Sequence, residues 1–457
     1  MRRGADLAPW LAFPARQLRA RVRGLTPPQA LILSFVSLAL IGMLLLKVPV
    51  ASQTPTSWLQ ALFTAVSAAT ITGLTVVDVG TQYTLFGQIV LLLLIQLGGI
   101  GLLTFGIFIL HLSNGRLRLR DRAVLRDAFN QSGGGDIREL LRTMIGFVVL
   151  LELLGSILLA LVWVPQMGWG RGLFFSVFHA VSAFNNAGFA LGADGLLGYV
   201  RNPVINSVIS MLFIAGGLGF VVISDLHGKR HFRDFALHTK LMLVGTVVID
   251  LIAMLVLLWL EYGNPHTLGG LPDWGSKLWA AWFQAVTPRS AGMSTLDIGQ
   301  MHPASALFMM LLMFIGGGSG STAGGIKLTT FIILLVATRS FLQQRAQPVV
   351  FGRAIDPATI QKALAVTIMA VLMAVLATFI LLLTERGNFL DLAFEVVSAL
   401  CTVGLSRDVT PTLSVAGQWL VMLLMLIGRV GPLTLAFVIA HPHDASIRYP
   451  RGAVLVG

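Results

Sequence analysis

Long apolar runs alternate with short ones along this 457-residue chain, and polar punctuation separates them in a fixed order. The first long run, 29–46, comes close to the ~20 apolar residues that a helix needs to cross a bilayer. A polar turn at 52–57 follows, and then the short run Trp58–Ala69. Apolar runs of about 10–14 residues are often re-entrant or interfacial rather than spanning. This one stops at Thr70-Ile71-Thr72-Gly73, and the next long run, 85–110, predicts a full crossing. The order is span, half-helix, extended segment, span.

That order returns three times. Spans are predicted at 143–164 and 203–224 around a half-helix at 172–184. They recur at 239–262 and 304–338 around 276–287, and at 360–384 and 416–440 around 388–400. Each half-helix carries a version of one stretch. The first is Phe63-Thr64-Ala65-Val66-Ser67-Ala68-Ala69-Thr70-Ile71-Thr72-Gly73. The second is Phe178-His179-Ala180-Val181-Ser182-Ala183-Phe184-Asn185-Asn186-Ala187-Gly188. The third, Phe283-Gln284-Ala285-Val286-Thr287-Pro288-Arg289-Ser290-Ala291-Gly292, is one residue shorter before its glycine. The fourth is Phe394-Glu395-Val396-Val397-Ser398-Ala399-Leu400-Cys401-Thr402-Val403-Gly404. Internal repetition of this kind defines an architecture.

A second landmark follows each of these glycines at a near-constant distance: Gly98-Gly99-Ile100-Gly101, Gly216-Gly217-Leu218-Gly219, Gly316-Gly317-Gly318 and Gly428-Arg429-Val430-Gly431. Small residues inside spans let helices approach closely, which is the plain packing reading. Their shared offset reinforces the repeat. The fold class expected is an all-α polytopic membrane protein. It has four pseudo-symmetric span–half-helix–span repeats around one central pore, eight full spans, and both termini on one side.

Composition agrees: 56% of residues are hydrophobic and 11% charged, against about 25% charged in soluble domains. The net charge of +12 raises the question of nucleic acid, but the distribution of the charge argues against that partner. Of 32 Lys and Arg, 23 lie before residue 31, between His111 and Arg142, at Lys229, Arg230, Arg233 and Lys240, at Arg339, Arg345, Arg353 and Lys362, or at Arg448 and Arg451. This is positive-inside asymmetry, so these loops and both ends are expected in the cytoplasm. The N-terminal arginines lack a following small-residue cleavage site, so no removed signal peptide is expected. The lone cysteine, Cys401, excludes an internal disulfide. No His/Cys cluster, carboxylate pair or nucleophile–base arrangement supports a membrane enzyme.

The chain therefore divides into a cytoplasmic N-terminal segment (1–28), a first repeat (29–112), a cytoplasmic loop (113–142) and a second repeat (143–226). A third repeat (227–338) follows a short basic loop and carries an intramembrane loop at 316–327. A cytoplasmic loop (339–359), a fourth repeat (360–441) and a C-terminal tail (442–457) complete it.

Non-helical backbone within a bilayer is tolerated where protein buries it or where it lines a water-filled cavity. Four extended segments converging on one axis meet that condition, and their carbonyls can replace the hydration shell of a cation. Glycine suits each segment because it allows φ > 0 and close approach of backbones. The half-helices would aim the negative ends of their dipoles at the cation, and Thr70, Thr72 and Thr402 would supply hydroxyls nearby. Arg289 fits a cation path only if its side chain turns away from the axis or pairs with an acid. Glu152 and Asp250, both inside spans, are open to two readings, paired structural acids or part of a coupling-ion site. His179 reads as a hydrogen-bonded packing residue, and Glu395 as a group that keeps the outer entrance attractive to cations.

In these features the chain resembles the ion-conducting subunit of the Trk/Ktr/HKT potassium transporter family. The filter positions of that family match Thr70-Ile71-Thr72-Gly73, Asn185-Asn186-Ala187-Gly188, Arg289-Ser290-Ala291-Gly292 and Cys401-Thr402-Val403-Gly404. The resemblance covers nearly the whole chain, and a first repeat beginning near residue 29 points to its KtrB type. It implies potassium as substrate, a homodimer in the cytoplasmic (inner) membrane, and a cytoplasmic ring of nucleotide-binding (RCK-type) regulatory subunits. The tail 453–457 is similar to one buried at the family's dimer contact. Sodium dependence is left open, and no organic cofactor is expected in this subunit. The rival reading is an alternating-access carrier, which uses inverted repeats; here all four repeats share one polarity.

The third repeat departs from the others. Gly316-Gly317-Gly318-Ser319-Gly320-Ser321-Thr322-Ala323-Gly324-Gly325-Ile326-Lys327 interrupts an apolar run, and six of the ten residues 316–325 are glycine. Each interior glycine costs a helix about 1 kcal/mol relative to alanine, so a break is expected. A phosphate loop is not matched, because Ile326 separates Gly325 from Lys327. The resemblance implies that this loop gates the pore. It also implies that Arg429, a costly charge within the last span, stands beside the loop and donates to its carbonyls. Pairing purely for stability is the plainer reading of Arg429.

Overall fold

In a computed structural model, residues 27–101, 137–192, 194–229 and 231–431 are described. The cytoplasmic segment expected at 1–28 (but for its last two residues), most of the loop 113–142 and the tail 442–457 lie outside them. The structure is mostly helical. Among the described residues the only paired strands are Val349–Val350 and Arg353–Ala354.

The first stretch contains α1 (Pro27–Lys47), α2 (Trp58–Ala69) and α3 (Leu85–Gly99), with a single helical turn at Val79–Gln82 before α3. The second contains α4 (Ile137–Met167), α5 (Trp169–Phe184), α6 (Pro203–Leu218) and α7 (Phe220–Gly228). Next come α8 (Leu237–Glu261), α9 (Trp274–Val286), α10 (Pro303–Phe314) and α11 (Leu328–Leu342). The last are α12 (Pro357–Thr384), α13 (Phe389–Leu400) and α14 (Val415–Val430). In each stretch the short helix packs against the long helix before it: α2 on α1, α5 on α4, α9 on α8 and α13 on α12.

Local chemistry sets the helix starts. Ser57 and Gln60 form a reciprocal capping box at α2, which satisfies two amides that otherwise lack helical partners. Asn202 caps α6 ahead of Pro203, and Asp356 caps α12 ahead of Pro357. A proline at the first helical position suits its missing N–H. Asp273 caps α9, accepting from the Ser276 amide and hydroxyl, and these bonds hold its carboxyl below the ordinary aspartate range.

Burial is inverted relative to a soluble protein. The short helices are the core: Phe63, Phe178, Phe283 and Phe394, at matched positions, are fully buried. The long helices carry Leu153, Ile157 and Leu161 on α4, and Leu372, Leu376 and Leu383 on α12, all exposed. Apolar surface this extensive marks contact with a partner or with lipid. Met144–Met167, Leu237–Glu261 and Pro357–Thr384 are each long and apolar enough to cross a membrane, and α6 with α7 makes a fourth if the bent pair is one span. The chain is a multi-pass membrane protein.

One expected span is not continuous, and a second carries the break that its glycines predict. The predicted 203–224 helix turns by 92° between α6 and α7. The turn falls at Gly219, whose φ of +93° a residue with a side chain rarely adopts. The predicted span 304–338 is interrupted between α10 and α11, where the glycine run stands.

Candidate functional site

Each short helix ends in the same backbone device. After the last helical turn comes a residue in the left-handed region and, two residues later, a positive-φ glycine. The pairs are Ile71 (φ 51°) and Gly73 (92°), Asn186 (55°) and Gly188 (74°), Ser290 (74°) and Gly292 (77°), and Thr402 (48°) and Gly404 (95°). A side chain in the left-handed region costs roughly 1–2 kcal/mol, and such strain persists only where surroundings over-determine it. The surroundings are a hydroxyl four residues after each matched phenylalanine. Ser67 accepts from the Gly73 amide and Ser398 from the Gly404 amide, both at 3.0 Å. Ser182 donates to the Phe189 carbonyl at 2.8 Å, and Thr287 donates to the Met293 carbonyl. These four hydroxyls were missed as site residues, although their constant offset from the phenylalanine was visible in the repeat.

The four glycines close a circuit. A Cβ built on Gly73 would lie 2.6 Å from the Ala187 carbonyl and 2.9 Å from the Gly188 Cα. One on Gly188 would lie 3.2 Å from the Cα atoms of both Gly73 and Gly292, and 3.4 Å from the Ala291 carbonyl. At Gly292 it would meet the Val403 carbonyl, and at Gly404 the Thr72 carbonyl, with the Gly73 Cα 3.1 Å away. Each glycine thus abuts the next segment, in chain order, and the last abuts the first. The carbonyls of Thr72, Ala187, Ala291 and Val403 sit at the four junctions. All four helix C-termini, with their negative dipole ends, finish within a few residues of this circuit.

Behind it, the residue three before the glycine differs in each stretch: Thr70, Asn185, Arg289 and Cys401. Thr70 bonds Val66 and Thr72 through its hydroxyl, both at 2.8 Å. The Arg289 guanidinium turns to Asp250 on α8, 2.7 Å away, in a buried pair that Thr246 joins at 3.4 Å. Asn185, at the equivalent place, donates to Glu152 on α4 at 3.0 Å and to Gln96 on α3 at 2.9 Å. Asp250 is therefore a paired acid, while Glu152 is held by two amide side chains. His179 bonds the Phe175 carbonyl at 2.8 Å and packs on Trp163 and Phe175, as a packing residue does. Glu395 is fully buried and engaged by the Ser406 and Thr410 hydroxyls. Arg407 was not singled out. It binds Asp391 at 2.7 Å and the carbonyls of Ile298, Gly299 and Met301, joining the stretches that follow Gly292 and Gly404.

The second glycine landmark also has a local cause. Side chains at Gly98, Gly216 and Gly428 would run into the carbonyls of Ala69, Phe184 and Leu400, the last residues of α2, α5 and α13. Gly316 instead faces Gly324 across the glycine run.

That run folds back on itself and onto the break between α6 and α7. Ile315 bridges Ile326, and the Gly316 amide donates to the Ile326 carbonyl at 2.8 Å. Gly318 donates to Gly217 at 2.7 Å, Thr322 to Gly216 at 3.3 Å, and Phe220 to Gly320 at 3.2 Å. The Ser321 hydroxyl closes onto the Gly318 carbonyl, and a side chain at Gly317 would meet Ala323. Gly320 and Gly325 have positive φ, and a Cβ on Gly219 would lie 2.6 Å from the Ser319 carbonyl. Two cations bind its carbonyls: Arg429 reaches Thr322 at 2.7 Å, and Lys327 reaches Ala323 at 2.8 Å. Arg429 also donates to Gly98 at 2.6 Å, which ties the loop to the end of α3.

Residues 8–449 match the family model described as a cation transport protein, TrkH. The chain belongs to the TrkH family. Its similarity to "Ktr system potassium uptake protein B" of Bacillus subtilis (strain 168) is 48% identity, covering 94% of this chain and 97% of that one. A protein of the same name from Vibrio alginolyticus is 41% identical, over 94% of this chain and 95% of its own. The crystal structure of the potassium transporter TrkH from Vibrio parahaemolyticus superposes with a TM-score of 0.72 at 19% identity, covering 91% of this chain and 86% of that chain. At that identity the match speaks for the fold, and a TrkH-like fold is what the helix order describes.

Proposed function

We propose that this protein moves potassium ions across the cytoplasmic membrane, down their electrochemical gradient, through a filter built on Gly73, Gly188, Gly292 and Gly404. The observation that carries the reading is the closed circuit of four positive-φ glycines at the ends of four buried half-helices. Carbonyl oxygens at the junctions are ligands for a dehydrated monovalent cation. Segments 70–73, 185–188, 289–292 and 401–404 form the filter. The architecture we infer is four repeats around one pore, with eight crossings and both termini in the cytoplasm. The pairing of Arg289 with Asp250 supports it, because that charge is turned out of the conduction line.

The loop 316–327 acts as the gate beneath the filter, with Arg429 and Lys327 holding its carbonyls closed. The names of the Ktr relatives support a multi-subunit system, and the partners we infer are a second copy of the chain and a cytoplasmic nucleotide-binding ring. An alternating-access carrier is less well supported, because the four stretches run with one polarity rather than as inverted pairs.

Uptake in cells lacking their own potassium systems tests the reading. Potassium accumulation is expected on expression, larger with the co-expressed regulator, and the assay with and without sodium decides sodium dependence. Absence of potassium uptake with the regulator present would overturn the reading.

A further inference from the structure

The loop does more than lie under the filter: its hydrogen bonds end on filter residues. The Asn186 amide donates to the Thr322 hydroxyl at 2.8 Å, and that hydroxyl is 3.4 Å from the Phe184 carbonyl, which it can donate to. The Gly324 amide donates to the Ser290 hydroxyl at 2.9 Å, and Ser290 in turn donates to the Thr402 carbonyl at 2.8 Å. A side chain at Gly324 would run into the Thr402 hydroxyl. Asn186, Ser290 and Thr402 are the left-handed residues of the second, third and fourth segments. All three, like Thr322, are buried.

The first segment is built differently. Its left-handed residue, Ile71, sits in an apolar cluster with Leu91, Ile95 and Phe178. Thr70 and Thr72 bond each other. No loop residue is among its partners within the described residues. Two strained positions, Asn186 and Ser290, are therefore hydrogen-bonded by the loop, the third, Thr402, is held through Ser290 and lies against Gly324, and the fourth, Ile71, has no such tie. The Asn186 side-chain nitrogen has Thr322 as its acceptor, while Asn186 Oδ1 and Thr402 Oγ1 have no partner among the described residues.

We propose that Thr322 is a specificity-determining residue, which makes discrimination among monovalent cations depend on the position of the loop. This rests on the gate reading above. While the loop is seated, Asn186 and Ser290 are braced and the carbonyls of the second to fourth segments keep one spacing. Displacing the loop removes both braces together, so the backbone of those segments relaxes towards a wider range of geometries. A filter that excludes sodium by carbonyl geometry loses discrimination when that geometry broadens. The loop then governs which ion passes as well as how many.

The test is a pair of variants, Thr322→Val and Thr322→Ser, reconstituted as the full chain in liposomes, with potassium and sodium fluxes measured separately. Valine keeps the shape and removes the hydroxyl; serine keeps the hydroxyl. Loss of one hydrogen bond, worth about 1 kcal/mol, corresponds to roughly a fivefold rise in the sodium-to-potassium flux ratio for the valine variant. Serine is expected to restore the parental ratio, which a purely steric role for Thr322 would not produce. If the valine variant does not fold, Ser290→Ala, which removes the second brace, is read by the same ratio. A parental ratio in the folded valine variant overturns the proposal, whatever its potassium flux. The gate reading is judged separately by Arg429→Ala, through flux alone. Raised flux there with an unchanged ratio in Thr322→Val would leave the gate standing and remove the coupling.

Discussion

A single methylene decides the matter at the glycines proposed to form the filter. At Gly188 (φ 74°) and Gly404 (φ 95°) the backbone is in a region that side chains resist, and the neighbouring segment is in contact. Serine at Gly404 would meet the Thr72 carbonyl, one of the four at the junctions. The strain of a left-handed side chain, roughly 1–2 kcal/mol, is comparable to the 1.4 kcal/mol that changes an equilibrium tenfold. Gly188→Ser and Gly404→Ser are therefore each expected to lower potassium-over-sodium discrimination by about tenfold or to abolish uptake. Ion competition in an uptake assay reads this, and unchanged potassium affinity with intact sodium exclusion in both variants would remove these glycines from the filter. Repetition made the glycines legible, since four copies in register are hard to explain as separate turns. The partner of Arg289 was not legible: Asp250 lies far away in the chain, and only the packing of α9 on α8 brings the two together.

At the scale of elements, the loop between α10 and α11 is where helix formation fails most completely, and its glycines announced this. Its receptor did not announce itself. The 92° turn between α6 and α7 occurs in an apolar run that a bilayer-length helix would also satisfy. One glycine, Gly219, was too common a residue to signal a break without the facing loop. The two interruptions hydrogen-bond each other, so each supplies the amides and carbonyls the other lost, as non-helical backbone at membrane depth requires. Against that background Arg429 is a fastener: it holds the Thr322 carbonyl to the end of α3. Arg429→Ala is expected to raise potassium flux several-fold in the absence of regulator, because hydrogen bonds to charged groups contribute about 1.5–3 kcal/mol. Deleting residues 317–324 should raise flux too, and by the coupling proposed above it should also let sodium through. Tracer flux into liposomes measures both. Lower flux in well-folded Arg429→Ala, or flux that remains fully regulator-dependent, would make the loop a structural plug rather than a gate.

The whole molecule has its most constrained part at its centre and its most apolar face outside. Buried half-helices surround the glycine circuit, and the long helices that enclose them present leucine, isoleucine and valine outwards. Such a face serves only if its solvent is hydrocarbon or a second copy of the chain. Leu372, near the middle of α12, is 60% exposed, whereas Ala370 two residues earlier is 4% exposed. An arginine at the centre of a membrane helix costs about 3 kcal/mol on insertion. Leu372→Arg is therefore expected to lower the membrane-integrated yield markedly, whereas Leu372→Phe should insert like the parent. The measurement is the fraction of protein recovered in washed membranes, followed by potassium uptake per molecule recovered. Parental yield and uptake for the arginine variant would mean that this face meets water. Parental yield with loss of a crosslinkable dimer would instead place α12 at the contact between copies. Either result would revise which surface of the four-stretch bundle faces lipid, while leaving the glycine circuit where the backbone puts it.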